Sequence, residues 1–215
     1  MDTTAIRRET LILSAAVVFL SDPLLLELFS LMHLPKLAGL GLTRLIQTAT
    51  VLGLVVYFQK SLESIGLAGS AFWKSILKGC IWSGGTGLVT AAGFALLYFS
   101  GINPLALFGT SRHFSPMDTV MYYIAGGLIA PIAEEVFFRG VLFGFLRTWG
   151  FPFALVVSTA IFAAFHTLFS GQTLPITQIA GGLLFALSYE KEKTLWVPIV
   201  IHATGNIAIF TLSLI

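Results

Sequence analysis

The chain has 215 residues, 56% of them hydrophobic and only 10% charged, with a formal net charge of +2. Soluble domains carry about 25% charged residues, so the composition excludes an ordinary soluble protein, and the small net charge without a basic run gives no footing for nucleic acid. The lone cysteine, Cys80, excludes an intramolecular disulfide and a multi-cysteine metal site, and is read as a small packing residue.

A bilayer core about 30 Å thick takes roughly 20 apolar residues per spanning helix. On that measure the sequence predicts an all-α, polytopic membrane helix bundle of about seven transmembrane helices, one domain filling residues 1–215. A short polar start with Arg7-Arg8 resembles a signal anchor that is not cleaved. The first span covers 11–32, distorted near Ser21-Asp22-Pro23, and the second covers 37–58 and contains Arg44. A polar connector over 59–70 lies partly at the interface. The third span, 72–99, is long enough to tilt, and its Ser83-Gly84-Gly85-Thr86-Gly87 stretch predicts close helix contact.

A loop over 101–116 holds Arg112 and His113. The fourth span, 117–148, carries Glu134 and Glu135 and is kinked by Pro131, which removes a backbone donor. Spans over 152–169, 174–189 and 195–214 follow, the last two separated by the charged turn 190–193. Ala125-Gly126-Gly127-Leu128 and Ala180-Gly181-Gly182-Leu183 read as two small-residue packing faces. Basic residues favour the cytoplasmic side. Arg7 and Arg8 put the N-terminus there, and seven spans bring Lys60, Lys74, Arg147, Lys191 and Lys193 to the same side, with Lys36 and Arg112 opposite.

Carboxylates at membrane depth are costly and mark sites or polar pathways. With a rise of about 1.5 Å per residue, Glu134, Glu135, Arg139, His166, His202 and Asn206 all fall roughly 12–24 Å from the cytoplasmic helix ends, one layer across three spans. Residues four apart share a helix face, so Arg139 can neutralise Glu135, while Glu134, rotated by about 100°, is left over. His202 and Asn206 also lie four apart, and both can donate hydrogen bonds to a developing negative charge. Elsewhere the readings are plainer. Phe162 packs; His33 and His113 are solvated; Asp118 is a helix N-terminal charge. Glu27 and Arg44 pair or reach an interface, with no catalytic role. Trp73, Trp149 and Trp196 suit interfacial positions, as does Trp82 unless it lies deeper.

The ordered set Glu134-Glu135-x-x-x-Arg139, Phe162-x-x-x-His166 and His202-x-x-x-Asn206, each on an apolar segment, resembles the motifs of the CAAX-protease and bacteriocin-processing family, also called Abi. These are glutamate-dependent intramembrane proteases similar to the Ras-converting enzyme. The resemblance covers 117–209; residues 1–116 show no recognised motif. It implies that Glu134 activates the attacking water with His166 sharing or orienting it, that Glu135 and Arg139 hold the helix and tune its charge, and that His202 and Asn206 stabilise the oxyanion. It implies no cofactor, and a peptide or membrane-anchored protein as substrate: a prenylated tail, a bacteriocin-type peptide or a C-terminal sorting anchor. The expected location is a prokaryotic inner membrane, in contact with its lipids. Two other readings stay open. One is a zinc peptidase with Glu134, His166 and His202 as ligands, against which the lack of a His-Glu-x-x-His helix weighs. The other is a non-proteolytic transporter or immunity-type partner protein using its acids as a proton or ion path.

Overall fold

The computed structural model describes residues 5–104, 115–170 and 176–214, and among them every regular element is helical. Seven helices among the described residues form the bundle. We label them α1 (Arg8–Leu31), α2 (Lys36–Gln59), α3 (Phe72–Phe99), α4 (the unbroken series from Pro116–Met121 to Arg147–Trp149), α5 (Phe151–Ser170), α6 (Ile176–Glu192) and α7 (Trp196–Ser213). Five of these regions, Arg8–Leu31, Lys36–Gln59, Gly69–Phe99, Phe151–Leu168 and Trp196–Ser213, are individually long and apolar enough to cross a membrane. Helix α4 changes register along its length, and α6 is only 17 residues and ends in charges. The loop residues Arg112 and His113 lie outside the described residues.

Helix α4 is the axis of the bundle. Every residue of Val136–Phe143 is buried, and α1, α2, α5, α6 and α7 all pack on α4. Its start is fixed locally: Ser115 Oγ accepts from the Asp118 amide, its hydroxyl donates to Asp118 Oδ2 at 2.7 Å, and Pro116 occupies the first turn. The core around it is aromatic, with Phe137, Phe138, Phe143, Phe162, Phe165 and Phe185 all buried.

Small residues set the close approaches, although not all where the sequence suggests. A Cβ on Gly126 would lie 2.9 Å from the Phe210 ring, and one on Gly182 would lie 2.9 Å from Thr159, so both of those glycine pairs do form packing faces. Gly84, Gly85 and Gly87 face open space instead. Helix α3 meets α7 through Ser83 at the head of that stretch, whose Oγ accepts from Thr204 Oγ1 at 2.8 Å, and through Gly79 one turn earlier, where a Cβ would come within 2.6 Å of Val200 Cβ. Beyond that contact α3 is largely exposed, as Trp73, Leu88 and Phe99 show, and its outer face suits lipid. Helix α1 runs unbroken through Pro23, so the expected distortion does not end it.

The connectors at one end interlock. Helix α2 stops at Lys60 in a left-handed conformation, and Ser61 caps the short turn Leu62–Ile65. Gly66 (φ 77°) follows, and its carbonyl accepts from Leu195 N at 3.1 Å and Thr194 Oγ1 at 3.2 Å. A side chain there would strike Leu195 N at 3.0 Å, which together with the positive φ requires glycine. At the same end Arg147 forks onto Glu190 (2.8 and 2.6 Å), Lys193 adds a contact at 2.8 Å, and Lys78 and Trp82 of α3 hold Glu192. Trp82 therefore sits at a charged helix end. The hydrogen bond from Arg147, helped by Lys193, holds Glu190 below its ordinary carboxylate value, and Lys78 and Trp82 act likewise on Glu192.

Two substitutions test this packing. Gly79→Ala must push α3 off α7 and should destabilise the protein by about 1–3 kcal/mol, read as a lower thermal midpoint in detergent micelles and not fully relieved by adding Val200→Ala, which keeps the Cβ that is struck. Glu190→Gln should cost no more than about 1 kcal/mol, because Arg147 is substantially exposed and the pair is screened. Because the folded value is lowered, the contribution of Glu190 is full above its ordinary 4.5 and is lost as pH falls through the lower folded value. The gap between wild type and Glu190→Gln should therefore close on acidification.

Candidate active site

The middle of α4 brings both carboxylates to membrane depth in an unusual backbone setting. Two π-helical stretches, Tyr122–Ile129 and Val136–Phe143, flank the α-helical turn Ala130–Glu135. Such widened turns recur at functional sites. In the first stretch Ala130 N–H donates to the carbonyl five residues back, that of Ala125. In the same register the Gly126 carbonyl would be served by residue 131, which is proline and has no N–H. Asn206 on α7 supplies the missing donor, its Nδ2 giving a hydrogen bond to Gly126 O at 3.0 Å. Pro131 thus widens the helix rather than breaking it.

Glu135 is fully buried and ionically paired. Its Oε1 accepts from Arg139 Nη1 at 3.1 Å and from His202 Nδ1 at 2.7 Å. Arg139 is 1% exposed; Nη2 donates to the Gly182 carbonyl at 3.3 Å, and its guanidinium lies over the Phe162 ring at 4.4 Å and the Phe185 ring at 5.1 Å. Phe185 also stacks on the His202 imidazole, centroids 4.4 Å apart. Both charges are thus held by direct partners and a wall of aromatic faces.

Glu134 faces the other way, as the helical rotation anticipates. Its Oε2 lies 3.5 Å from His166 Nε2 and 3.7 Å from His202 Nε2, distances that suit ion pairs but are too long for good hydrogen bonds. That oxygen is buried and has no hydrogen-bond partner among the described residues. His166 Nδ1 is 2.9 Å from the Phe162 carbonyl, an acceptor, so Nδ1 carries the hydrogen. His202 Nδ1 meets a carboxylate, so it carries a hydrogen too. Each imidazole therefore turns Nε2, the atom that gains or loses a proton, toward Glu134. Two carboxylates and one guanidinium leave one excess negative charge, and a single proton on either imidazole neutralises the cluster. The arrangement can pass one proton among Glu134, His166, His202 and whatever lies between them.

The structure thus brings together Glu134, Glu135, Arg139, His166 and His202 from three helices. Asn206 is one turn away, with one amide hydrogen engaged by Gly126. Phe162 packs, as expected, but also aligns His166 through its carbonyl and Arg139 through its ring. Phe185, and an ion pair on the N-terminal helices, escaped the sequence reading. Arg44 does not pair with Glu27. Its Nη1 donates to Asp22 Oδ1 at 2.7 Å and to Gln47 Oε1 at 2.6 Å, and Gln47 Nε2 donates to Asp22 Oδ1 at 2.7 Å and to the Val18 carbonyl at 3.2 Å. Asp22 lies nine residues before the end of α1 and Arg44 eight residues into α2, so the two match in depth, whereas Glu27 lies nearer the turn. Among the described residues no group of three His, Cys, Asp or Glu side chains is arranged to hold a metal ion.

Fold and site together define an integral membrane helix bundle with a buried acid–histidine centre. Comparison with known proteins narrows this. Residues 116–208 match the family model described as "Type II CAAX prenyl endopeptidase Rce1-like". The chain is 29% identical over 136 residues to "Putative membrane peptidase YdiL" of Bacillus subtilis (strain 168), covering 57% of this chain and 54% of that protein. It is 38% identical over 86 residues to "Membrane-embedded CAAX protease MroQ" of Staphylococcus aureus (strain USA300), covering 37% and 34% of the two chains. It is also 28% identical over 81 residues to "UPF0177 protein YxdF" of Lactococcus lactis subsp. lactis (strain IL1403), covering 38% and 44%. The matches span about half or less of these relatives' lengths, and no solved structure matches. Over residues 116–208, less than half of its length, the chain is thus similar to CAAX prenyl endopeptidases.

The charge arrangement makes the two glutamates unequal. Glu135→Gln leaves the Arg139 guanidinium buried without its countercharge and should destabilise the fold by about 3–5 kcal/mol. Glu134→Gln removes the excess negative charge, and should unfold at or above the wild-type midpoint. Thermal unfolding of the purified variants in micelles checks both.

Proposed function

We propose that the protein is an intramembrane endopeptidase of the glutamic type, cutting a peptide bond of a membrane-anchored or C-terminal tail. The observation that carries this reading is the convergence of two imidazole Nε2 atoms on the buried Glu134 carboxylate, at 3.5 and 3.7 Å. A water between Glu134 and His166 meets two acceptors, one for each of its protons. Glu134 takes a proton as the water oxygen attacks the scissile carbonyl. His202, holding Glu135 through Nδ1, donates through Nε2 only when doubly protonated, and then supports the tetrahedral oxyanion with charge. The remaining amide hydrogen of Asn206 is the second donor. The proton held by Glu134 and His166 then passes to the departing amine, and the C–N bond breaks. Glu135 and Arg139 keep His202 in orientation. No metal or cofactor takes part in this scheme.

The family description and the name of the staphylococcal relative support a protease, and a prenylated tail is the substrate to test first. The basic residues support a cytoplasmic N-terminus, and the bacterial sources of the relatives support a prokaryotic inner membrane. Lys78, Arg147 and Lys193 meet at one end through Glu190 and Glu192, and Ile6, beside Arg7, packs at that end against Gly144.

The test uses membranes carrying wild type, Glu134→Ala or His166→Ala, incubated with a farnesylated CAAX-type peptide and with co-expressed anchored reporters, the product termini being read by mass. Loss of the general base should lower the rate by at least about 10²–10⁴-fold while the protein still inserts and folds. Chelator should leave the wild-type rate unchanged. Cleavage by Glu134→Ala at the wild-type rate removes the proposal, and cleavage abolished by chelator turns it toward a metallopeptidase.

A further inference from the structure

The N-terminal helices carry a buried ionic cluster that the scheme above does not use. Asp22, Arg44 and Gln47 are all at least nine-tenths buried, and their hydrogen bonds lock the guanidinium by one edge. The Arg44 ring contact is with Phe165, one residue before His166. Helix α2 packs directly on the Ala130–Glu135 turn. Between them lies a cavity of about 10 Å³ lined by Val18, Arg44, Gln47, Ala133, Glu134, Phe137, Phe138 and Phe165. Its size decides what it holds. About 10–15 Å³ accommodates one water and nothing larger, and a bound water needs two to four polar partners. The cavity is too small for a peptide group and offers three polar residues. Two buried atoms on those residues, Arg44 Nε and Glu134 Oε2, have no hydrogen-bond partner among the described residues. One is a donor and the other an acceptor.

We propose that Arg44, locked by Asp22 and Gln47, is a positioning residue for Glu134, acting through a single water bound in the cavity between them. The water accepts from the Arg44 guanidinium and donates to the Glu134 carboxylate. It steers the carboxylate from the α2 side, while His166 and His202 face it from α5 and α7, and Glu135 and Arg139 adjoin it on α4. The inference rests on Glu134 being the base, and it gives the helices before residue 116 a part in the reaction.

The ion pair must be separated from any merely structural role. Removing both members of a buried pair is often neutral for stability, whereas removing one is not. In the full-length protein in micelles, the double variant Asp22→Asn/Arg44→Gln should unfold close to wild type. With the farnesylated peptide its kcat should nevertheless fall about 10–100-fold with KM within about twofold, the pattern of an interaction lost in the transition state. Arg44→Lys, which keeps the charge, should recover part of the rate, and so guards against a double variant that fails to fold. Wild-type kcat in the double variant overturns the inference.

A thermal arm needs no substrate. Arg44→Gln should lower the midpoint at least twice as much in the wild-type background as in Glu134→Gln, since the two residues are coupled. Additive effects overturn the bridge. Full activity of Glu134→Gln would instead sink the proposed hydrolysis, and the thermal coupling would still report on the water site independently.

Discussion

A guanidinium, an imidazole and a carboxylate buried together in a membrane protein hold the rest of this structure in place. Glu135 is held at that depth by Arg139 and His202, and Arg139 by the Gly182 carbonyl and the rings of Phe162 and Phe185. Those partners come from α5, α6 and α7. The desolvation of one ion pair thus fixes the rotation of three other helices about α4. The small residues around it serve the same end, because Gly182 brings its carbonyl within reach only by letting α6 approach Thr159.

The same constraint separates the two adjacent acids. One is held through Oε1 by a guanidinium and an imidazole; the other is buried and faced by two imidazoles at longer range. A single helical step of rotation achieves this without any long-range device. The backbone around the pair is adapted too. Pro131 takes away a donor, the π-helical register moves the loss to Gly126, and Asn206 repairs it from α7. A polar side chain read from sequence as a reagent is in part a structural clasp, and the clasp orients whatever chemistry its other amide hydrogen performs.

Much of this was legible in the sequence, and the limits have physical causes. Helical periodicity alone couples Glu135 to Arg139 and sets Glu134 apart, and matched depth brings His166 and His202 to the same layer. These are local geometry on regular helices. The partner of Arg44 was missed, although a depth count across the α1–α2 hairpin puts Asp22, not Glu27, level with it. The π-helical turns leave no periodic trace in so apolar a segment. Gly84, Gly85 and Gly87 have the composition of a packing face, but the contact runs through Gly79 and Ser83, since the crossing point of two helices depends on tilt, not on glycine content. Phe185 carries no signal that distinguishes it from any other core phenylalanine.

The hook at Gly66 has a consequence for how the protein comes into being. Chains emerge from the ribosome N-terminus first, so α4 and its acids enter the bilayer well before the residues that latch onto the Gly66 carbonyl. Leu195 and Thr194, which close that latch, immediately precede the helix bearing His202 and Asn206. During biosynthesis His202 and Asn206 therefore join the acids only when α7 arrives and docks, and until that moment the nascent chain carries Glu135 in the bilayer without its imidazole partner.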